Sequence, residues 1–178
     1  MSTEEKSWLT PRPRNRPAWD LTMMEMAAVI AKRGSCQRKQ VGAVIVRDQD
    51  KHIMSVGYNG APRNMPDCFE VGCDVRVVDG RESCVRTIHA ESNALDFAQL
   101  LPGISYTLYC NVIPCKLCAL RIIQLGINTV VYNEYYESQG TKEVLALFAA
   151  QDPDSRKLPN YAIRSMQPRV RVRRVELT

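Results

Sequence analysis

His89-Ala-Glu, followed by Pro-Cys115-Lys-Leu-Cys118, is the part of this 178-residue sequence that decides its fold and its chemistry. The imidazole of His89 and the thiolates of Cys115 and Cys118 are three zinc ligands, which leaves the fourth tetrahedral position open to water. Glu91 lies two residues after the histidine, where its carboxylate can carry protons. Because a structural zinc site has four protein ligands, three ligands beside a carboxylate favour a catalytic metal.

The two cysteines are expected at the start of a helix. Cys115 and Cys118 are three residues apart, so their sulfur atoms share one helical face, and a helix N-terminus favours the thiolate form. Pro114 presets the backbone that enters this helix. His89 begins another helix, and the sequence therefore predicts that two helix N-termini meet at the metal.

The region before the motif predicts a helix and a pair of strands. Asp20 is a candidate N-cap for a helix that continues to about Lys32, with methionines and alanines at helical spacing. The apolar run at 41–46 is typical of a strand that is buried on both faces. A polar turn at 48–51 leads into a second strand at 53–58, and we expect the two strands to pair as a hairpin.

The later sequence alternates strands and helices. Residues 59–87 show no clear periodicity, and a loop of this length is uncommon unless it is functional or held in place. The order ββαβαβα predicts an α/β/α sandwich whose later strands are joined by right-handed crossovers. The predicted elements are helix 89–100, strand 105–111, helix 115–125, strand 128–132 and helix 142–150.

The amino-acid composition indicates a globular protein and limits the kinds of protein that this chain can be. Hydrophobic residues make up 45% and charged residues 24% of the chain, as in a globular protein, and no apolar run is long enough to span a bilayer. The N-terminal residues lack the apolar centre of a signal peptide, so we expect a cytoplasmic location, or the host cytoplasm if the source is viral. Seven cysteines in such a chain indicate metal binding rather than disulfides.

Three regions differ in composition. Residues 1–18 form an arm that is rich in proline and arginine, and residues 19–155 contain the domain itself. Residues 156–178, part of the same domain, hold seven arginines and lysines against one glutamate, although the net charge of the whole chain is only +5. Arginine and valine alternate over 169–173, which predicts a strand with one basic face. That face is either a sheet edge protected by charge or a surface for substrate phosphates or a partner subunit.

Further segments extend the pattern beyond the zinc motif, whose H-x-E…P-C-x-x-C form is the signature of zinc-dependent base deaminases. Four segments of this chain resemble segments of the deoxycytidylate (dCMP) deaminase family of the cytidine deaminase superfamily, which includes phage-type dCMP/dCTP deaminases. The segments occur in the same order in this chain as in the family. The similarity covers roughly residues 20–150. The segments are 36–45 (Cys-Gln-Arg-Lys-Gln-Val-Gly-Ala-Val-Ile), 57–62 (Gly-Tyr-Asn-Gly-Ala-Pro), 87–94 (Thr-Ile-His-Ala-Glu-Ser-Asn-Ala) and 131–136.

This resemblance implies a three-layer α/β/α sandwich of the cytidine deaminase type with a central mixed five-stranded sheet. It implies a hydrolase that converts dCMP to dUMP and ammonia and so supplies dTMP synthesis. Its cofactor would be a catalytic Zn²⁺ bound by His89, Cys115 and Cys118, and Glu91 would be the catalytic acid and base.

The resemblance also implies substrate contacts. Asn59 matches an asparagine that binds the sugar hydroxyl, Lys39 and Tyr136 match positions near the substrate phosphate, and Ala90 belongs to the substrate-binding set. Simpler roles stay open at three of these positions: a loop-stabilising asparagine, a solvated lysine and a packed tyrosine.

Four further cysteines resemble a second, structural zinc site found in some family members. Three of them share the aperiodic region with the spacing Cys68-x4-Cys73-x10-Cys84, and Cys36 precedes the first strand. A closed set of four thiolates contributes folding free energy, on the order of 10 kcal/mol in small zinc modules, and would order a loop of this length. The alternative is four free, buried cysteines.

Two positions depart from the pattern of effector-regulated family members. Arg63-Asn-Met follows the 57–62 segment where those members have a glycine, and Leu100 occupies a position that is often basic in them. These departures weigh against dCTP and dTTP as allosteric effectors. Arg63 is instead a candidate phosphate contact, together with the basic C-terminal segment, and we expect dCTP to be a second substrate. The family implies a homo-oligomer, a hexamer in preference to a dimer.

Two other functions fit parts of the sequence. A base-editing deaminase of tRNA or single-stranded DNA would use the basic C-terminal segment, but that segment lacks the interleaved aromatics that stack on bases. Nucleic acid and membranes are therefore not expected partners. A non-enzymatic interaction module held together by zinc would have no need for the carboxylate of Glu91 beside the metal ligands.

Overall fold

The structure is a computed structural model, and it describes residues 16–78, 80–135, 139–149 and 162–165. Its helices are Trp19–Ala31 (α1), Cys68–Val71 (α2), Ala90–Phe97 (α3), Lys116–Gln124 (α4) and Gln139–Ala149 (α5). Its strands are Gly42–Arg47 (β1), Ile53–Tyr58 (β2), Val75–Val78 (β3), Arg81–Cys84 (β4), Tyr106–Val112 (β5), Thr129–Glu134 (β6) and Ala162–Ser165 (β7).

A five-stranded mixed sheet forms the middle layer, with the strand order β2-β1-β5-β6-β7. β1 pairs antiparallel with both β2 and β5, whereas β5, β6 and β7 are parallel to one another. Parallel neighbours need a crossover connection, and α4 and α5 provide it between these strands. The predicted hairpin and the predicted mixed five-stranded sheet are confirmed.

Helices cover both faces of the sheet. Along β1, Val44 and Val46 pack in a cluster with Met23 of α1, while Ala43 and Ile45 pack in a second cluster with residues of α3, α4 and α5. All four of these β1 side chains are completely buried. A strand with two covered faces requires such a continuous apolar run. The predicted three-layer sandwich is therefore confirmed.

Gly57 brings β2 into backbone contact with α3. A Cβ atom at this position would lie 2.2 Å from the carbonyl oxygen of Ala90. The glycine thus sets the distance between the sheet and the helix that begins after His89. Gly42 has the same role on the opposite face, where a Cβ atom would lie 2.1 Å from the carbonyl oxygen of Ala27 in α1.

The first helix begins differently from its prediction. Ala18 occupies the N-cap position and Asp20 lies in the first turn, so the prediction of Asp20 as the N-cap is wrong. Asp20 instead accepts a 2.8 Å hydrogen bond from the hydroxyl group of Tyr109, which ties α1 to the buried strand β5. A partner distant in sequence has taken the carboxylate that a local cap would have used.

The motif helix α3 ends earlier than predicted. Its last residue is Phe97 rather than Leu100, and Ala98 already has an extended backbone. The backbone N–H of Leu101 then donates a 3.0 Å hydrogen bond to the hydroxyl oxygen of Tyr106. The end of the predicted helix therefore serves as the connection to β5.

Residues 59–87 contain regular structure that the sequence pattern did not indicate. α2 follows Asp67, whose carboxylate accepts hydrogen bonds from the backbone N–H groups of Phe69 and Glu70 in a capping box. β3 and β4 pair as an antiparallel hairpin. Each of these elements has only four residues, too few for its periodicity to be recognised.

The ends of the chain bear on two further predictions. Residues 1–15 of the predicted arm at 1–18 and the basic alternation at 169–173 lie outside the described residues. The described strand of the C-terminal segment is β7, which runs parallel to β6 with Ala162 opposite Thr129. Among the helices of the described ranges, none combines the length and the apolar character that crossing a membrane requires.

Candidate active site and metal centres

Three predicted metal ligands meet where two helices begin. His89 is the N-cap of α3, Cys115 is the N-cap of α4, and Cys118 lies in the first turn of α4. The Nδ1 atom of His89 is 3.4 Å from the Sγ atom of Cys115 and 3.5 Å from that of Cys118. In a tetrahedron, zinc bonds of ordinary length hold such nitrogen and sulfur atoms about 3.6 Å apart. The three side chains therefore have the separations that one zinc ion needs.

The surroundings of this site favour a thiolate. The hydrogen bond from Cys118 lowers the pKa of Cys115 to about 4, and a hydrogen bond from His89 acts in the same direction. The two helix N-termini add positive potential, which also favours a negatively charged sulfur. The hydrogen bond between the two cysteines, together with burial, raises the pKa of Cys118, so the site by itself favours one thiolate, the form that binds zinc, at Cys115.

Glu91 is a buried carboxyl group in the first turn of α3. Burial raises its pKa to about 7, and the nearby His89 opposes this rise only in part. A carboxyl group with this pKa can both accept and donate a proton at neutral pH, as a general acid–base catalyst must. Glu91 lines the same cavity as His89 and Cys115, which is where the sequence predicted it.

Two of the three metal ligands, His89 and Cys115, border a cavity of about 690 Å³ together with Glu91. Small-molecule sites usually have volumes of about 300–1,000 Å³, so this cavity suits a ligand of nucleotide size. Its walls come from the segment before β1, the β3–β4 hairpin and the ends of β5 and β6. The polar lining residues include Arg38, Lys39, Asn59, Glu82, Ser83, Thr87, Lys116, Glu134 and Thr141.

Asn59 lines the cavity but already bonds to the backbone. Its side-chain oxygen accepts a 2.8 Å hydrogen bond from the N–H of Val41, and its amide nitrogen donates at 2.8 Å to the carbonyl oxygen of Lys39. These bonds hold the segment before β1, which is the loop-stabilising role that the sequence left open. An asparagine amide has two hydrogens and two oxygen lone pairs, so one of each remains beyond these two bonds.

The other predicted substrate residues differ in their placement. Ala90 is completely buried and lines the cavity. Lys39 lines it too, and its ammonium group is paired with the carboxylate of Glu134. Arg63 is exposed and does not belong to the described residues that form the cavity wall. Tyr136 lies outside the described residues.

The remaining predicted ligands form a second cluster. The sulfur atoms of Cys36, Cys68, Cys73 and Cys84 all lie within 4.8 Å of one another, and those of Cys68 and Cys84 are 3.6 Å apart. Zinc–sulfur bonds in a tetrahedron separate two sulfur atoms by about 3.8 Å. All seven cysteines of the chain, each within the described ranges, are free thiols. The four sulfur atoms therefore fit a closed thiolate site for a metal.

The acidic side of the cavity is the feature that the sequence analysis missed. Glu82 in the β3–β4 hairpin and Glu134 at the end of β6 line the cavity, and they pair with Arg38 and Lys39 respectively. Glu134 could have been found, because ligand sites of open α/β sheets lie at the carboxyl ends of the parallel strands. Glu82 gave no such signal, since the hairpin itself was not predicted.

The fold and the clustered ligands define a class of protein: an α/β domain with the His-Cys-Cys metal set and buried glutamate of a zinc-dependent base deaminase. Residues 17–134 match the family described as the cytidine and deoxycytidylate deaminase zinc-binding region. The chain belongs to this family, and zinc is accordingly the metal that it binds.

Relatives in several organisms are similar over the same core. The chain is 41% identical to the deoxycytidylate deaminase of Saccharomyces cerevisiae over 128 residues, which are 70% of this chain and 40% of that protein. It is 37% identical to the deoxycytidylate deaminase of Mycobacterium phage D29 over 126 residues, 66% of this chain and 96% of that one. The chain thus spans 40% and 42% of the length of its relatives from Saccharomyces cerevisiae and Schizosaccharomyces pombe.

A solved structure has the same fold. The crystal structure of dCMP deaminase from the cyanophage S-TIM5, in complex with dCMP and dUMP, matches with a TM-score of 0.62 and 24% sequence identity. The match covers 86% of this chain and 100% of that chain. It supports the three-layer architecture independently of the zinc motif.

Proposed function

We propose that this protein hydrolyses dCMP to dUMP and ammonia with the help of zinc, and so supplies the precursor of dTMP. The observation that carries this proposal is the buried carboxyl group of Glu91, which lines the same cavity as His89 and Cys115 of the His89–Cys115–Cys118 set. A structural zinc site needs no acid–base group, whereas hydrolytic removal of an amine needs a proton carrier. The similar proteins of Saccharomyces cerevisiae and Mycobacterium phage D29 are named deoxycytidylate deaminases.

Each residue has a distinct task in this mechanism. His89, Cys115 and Cys118 would hold the zinc ion, which would lower the pKa of a bound water to about 7 and so supply a nucleophile at neutral pH. Glu91 accepts the proton that water loses and delivers it to the ring nitrogen beside the amino-bearing carbon. The same carboxyl group then carries the second proton of that water, from the hydroxyl group now on the ring carbon, to the amino group; the carbon–nitrogen bond breaks, ammonia leaves and the hydroxyl becomes the carbonyl group of the product. A pKa of about 7 lets Glu91 act in both directions.

The substrate contacts follow from the cavity lining. Asn59 donates its remaining amide hydrogen to a sugar hydroxyl, while its other bonds keep the segment before β1 in place. Lys39 provides a positive charge for the phosphate at the rim, and Ala90 forms part of the wall beside the base. We propose Tyr136 and Arg63 as further contacts on the phosphate side, as the resemblance and the charge pattern predict.

We assign the cluster of Cys36, Cys68, Cys73 and Cys84 to a second zinc ion with a structural role. Cys36 precedes β1 and Cys84 ends β4, and both residues also line the cavity. The metal would therefore join two walls of the active site that are distant in sequence. It would also hold residues 59–87, whose α2 and β3–β4 hairpin are too short to be stable alone.

The proposal extends to assembly, location and substrate range. We propose a homo-oligomer, a hexamer rather than a dimer, that works in the cytoplasm and accepts dCTP as a weaker second substrate. We propose dCTP and dTTP as candidate effectors, against which the departures at Arg63 and Leu100 weigh. Analytical ultracentrifugation with and without these nucleotides would test assembly and effector binding together.

A substrate panel tests the central proposal. Ammonia release would be followed with dCMP, dCTP, CMP, deoxycytidine and adenosine-containing RNA, and zinc per chain would be measured on the same sample. We expect the highest kcat/KM with dCMP, no turnover of RNA, and two zinc ions per chain. A zinc-loaded sample that releases no ammonia from any cytosine nucleotide would refute the activity, and one zinc per chain would remove the structural site.

A further inference from the structure

Each described lysine and arginine that lines the candidate active site is paired with a carboxylate. A phosphate that enters the cavity therefore meets cations whose charge is already balanced. The phosphate has to replace a carboxylate as the partner, and it is repelled by that carboxylate while it does so. The pairs are Lys39–Glu134, Arg38–Glu82 at 3.5 Å and Lys116–Glu143 at 2.8 Å.

Backbone hydrogen bonds fix the Lys39–Glu134 pair relative to the metal ligands. The carbonyl oxygen of Glu134 accepts a 2.9 Å hydrogen bond from the N–H of Ile113, which lies two residues before Cys115. The carbonyl oxygen of Lys39 accepts a 2.8 Å hydrogen bond from the side chain of Asn59. The ion pair thus joins the end of the sheet to the segment before β1 along the wall of the cavity.

A second cavity, of about 520 Å³, adjoins the same pair. Lys39, Glu134, Arg38 and Cys36 line both cavities, so the pair lies at their shared boundary. A nucleotide whose base reaches Glu91 and whose first phosphate reaches Lys39 would direct any further phosphates past Glu134. Glu134 is the acidic residue among the described residues that line the second cavity, beside Arg38 and Lys39, so a further phosphate would pass one carboxylate on its way.

We propose that Glu134 is a specificity-determining residue that selects against additional phosphate groups. This inference rests on the proposed deamination of deoxycytidine nucleotides. A monophosphate replaces Glu134 as the partner of Lys39 and then meets its repulsion at one point. A triphosphate carries about twice the charge and extends toward the same carboxylate, so repulsion penalises it more.

Glu134→Gln tests this role, and Asp96→Asn is its matched control. Asp96 pairs with Arg121, and the side-chain exposure of Asp96 is 48%, against 47% for Glu134. Both variants remove one negative charge and one exposed ion pair. Neither Asp96 nor Arg121 is among the described residues that line the two cavities. KM and kcat would be measured for deoxycytidine, dCMP and dCTP on both variants and on the wild type.

The expected changes increase with the charge of the substrate. An exposed ion pair alters a binding constant by up to about fivefold. We therefore expect Glu134→Gln to lower the KM for dCMP by about two- to fivefold and that for dCTP by roughly the square of that factor. The change for deoxycytidine should be the smallest of the three. The KM ratio of dCTP to dCMP should fall in Glu134→Gln and stay at the wild-type value in Asp96→Asn and in the charge-preserving Glu134→Asp.

Three results would overturn the inference, and they differ in what they say about the activity. An unchanged KM ratio in Glu134→Gln, with dCMP turned over by the wild type, overturns the role of Glu134 and leaves the proposed function standing. Equal KM changes for all three substrates, deoxycytidine included, would mean that Glu134 only supports the structure. A zinc-loaded wild type that deaminates no deoxycytidine nucleotide overturns both proposals.

Discussion

Replacing Gly57 with alanine should shift the motif helix α3 while leaving all of its metal-binding and catalytic side chains unchanged. The new Cβ atom would lie 2.2 Å from the carbonyl oxygen of Ala90 and 2.4 Å from the nitrogen of Ala94, whereas ordinary contact begins at 3.4 Å. Both atoms belong to the backbone of α3 and cannot rotate away. The helix must therefore move from the sheet by about 1 Å, with an overpacking cost of about 1–3 kcal/mol.

This displacement reaches the reacting groups, because His89 and Glu91 lie at the end of α3 that Gly57 contacts. A misplacement of about 1 Å in a catalytic constellation can lower the rate by about 100-fold. For a domain of this size, the stability loss corresponds to a decrease in Tm of about 2–12 °C. We expect Gly57→Ala to retain its fold below that Tm and to lose about 100-fold in kcat.

Gly42→Ala is the control for this prediction. Its Cβ atom would lie 2.1 Å from the carbonyl oxygen of Ala27 and 2.5 Å from the nitrogen of Ala31, both in α1 on the opposite face of the sheet. Gly42→Ala should lose similar stability but keep kcat within a few fold. Thermal unfolding, zinc per chain and kcat would be measured for both variants and the wild type. Equal losses of kcat in the two variants, or none in Gly57→Ala, would refute the reasoning.

Three further changes have defined outcomes. Glu91→Gln should lower kcat by about 10²–10⁴-fold at unchanged zinc content, because it removes the proton carrier and no metal ligand; undiminished ammonia release would contradict this. Cys68→Ser should reduce the zinc content from two ions to one per chain and lower Tm. Cys110→Ser is the control, because Cys110 lies in the apolar cluster, and it should keep both ions. Metal analysis of the two variants tests whether the four-cysteine cluster holds the second zinc. The hydrogen bond from Arg47 lowers the pKa of Asp50 to about 2, below its value of 3.8 in an unfolded chain. The ionised carboxylate therefore stabilises the fold at neutral pH, and this contribution is lost as the pH falls through about 2. Asp50→Asn should therefore be less stable than the wild type in urea at pH 6, and the difference should be much smaller at pH 2; the same difference at both pH values would count against the ion pair.

The parts of the molecule that were predicted correctly have causes that act over short stretches of sequence. The apolar run at 41–46 predicts β1 because a strand between two helical layers must be apolar on both faces, and Val44 and Ile45 are completely buried as expected. The positions of His89, Cys115 and Cys118 follow from the demands of one metal ion on helix N-termini. Such local and chemical constraints leave few alternatives.

The parts that were missed depend on partners distant in sequence. Lys39 and Glu134 are 95 residues apart, and no pattern at either position indicates the other. Aspartate is a residue type that often caps helices, but the carboxylate of Asp20 instead accepts a hydrogen bond from the hydroxyl group of Tyr109 when the helix packs on the sheet. The loop-stabilising role of Asn59 was one of the two roles left open, and its backbone partners at Val41 and Lys39 are ones that only the folded loop brings within reach.

The four-cysteine cluster and the active-site cavity share a wall, so a metal in the cluster and a nucleotide in the cavity can affect each other's binding. Cys36 and Cys84 belong to the four-thiolate cluster and also line the cavity. If the proposed structural zinc and the proposed nucleotide both stabilise this wall, each strengthens the binding of the other, and thermodynamic linkage requires the two factors to be equal. A bound nucleotide should therefore slow the loss of the structural zinc to a chelator. Conversely, partial depletion of that zinc should weaken nucleotide binding while the catalytic ligands stay intact, so that metal status would act as a quantitative regulator of substrate affinity.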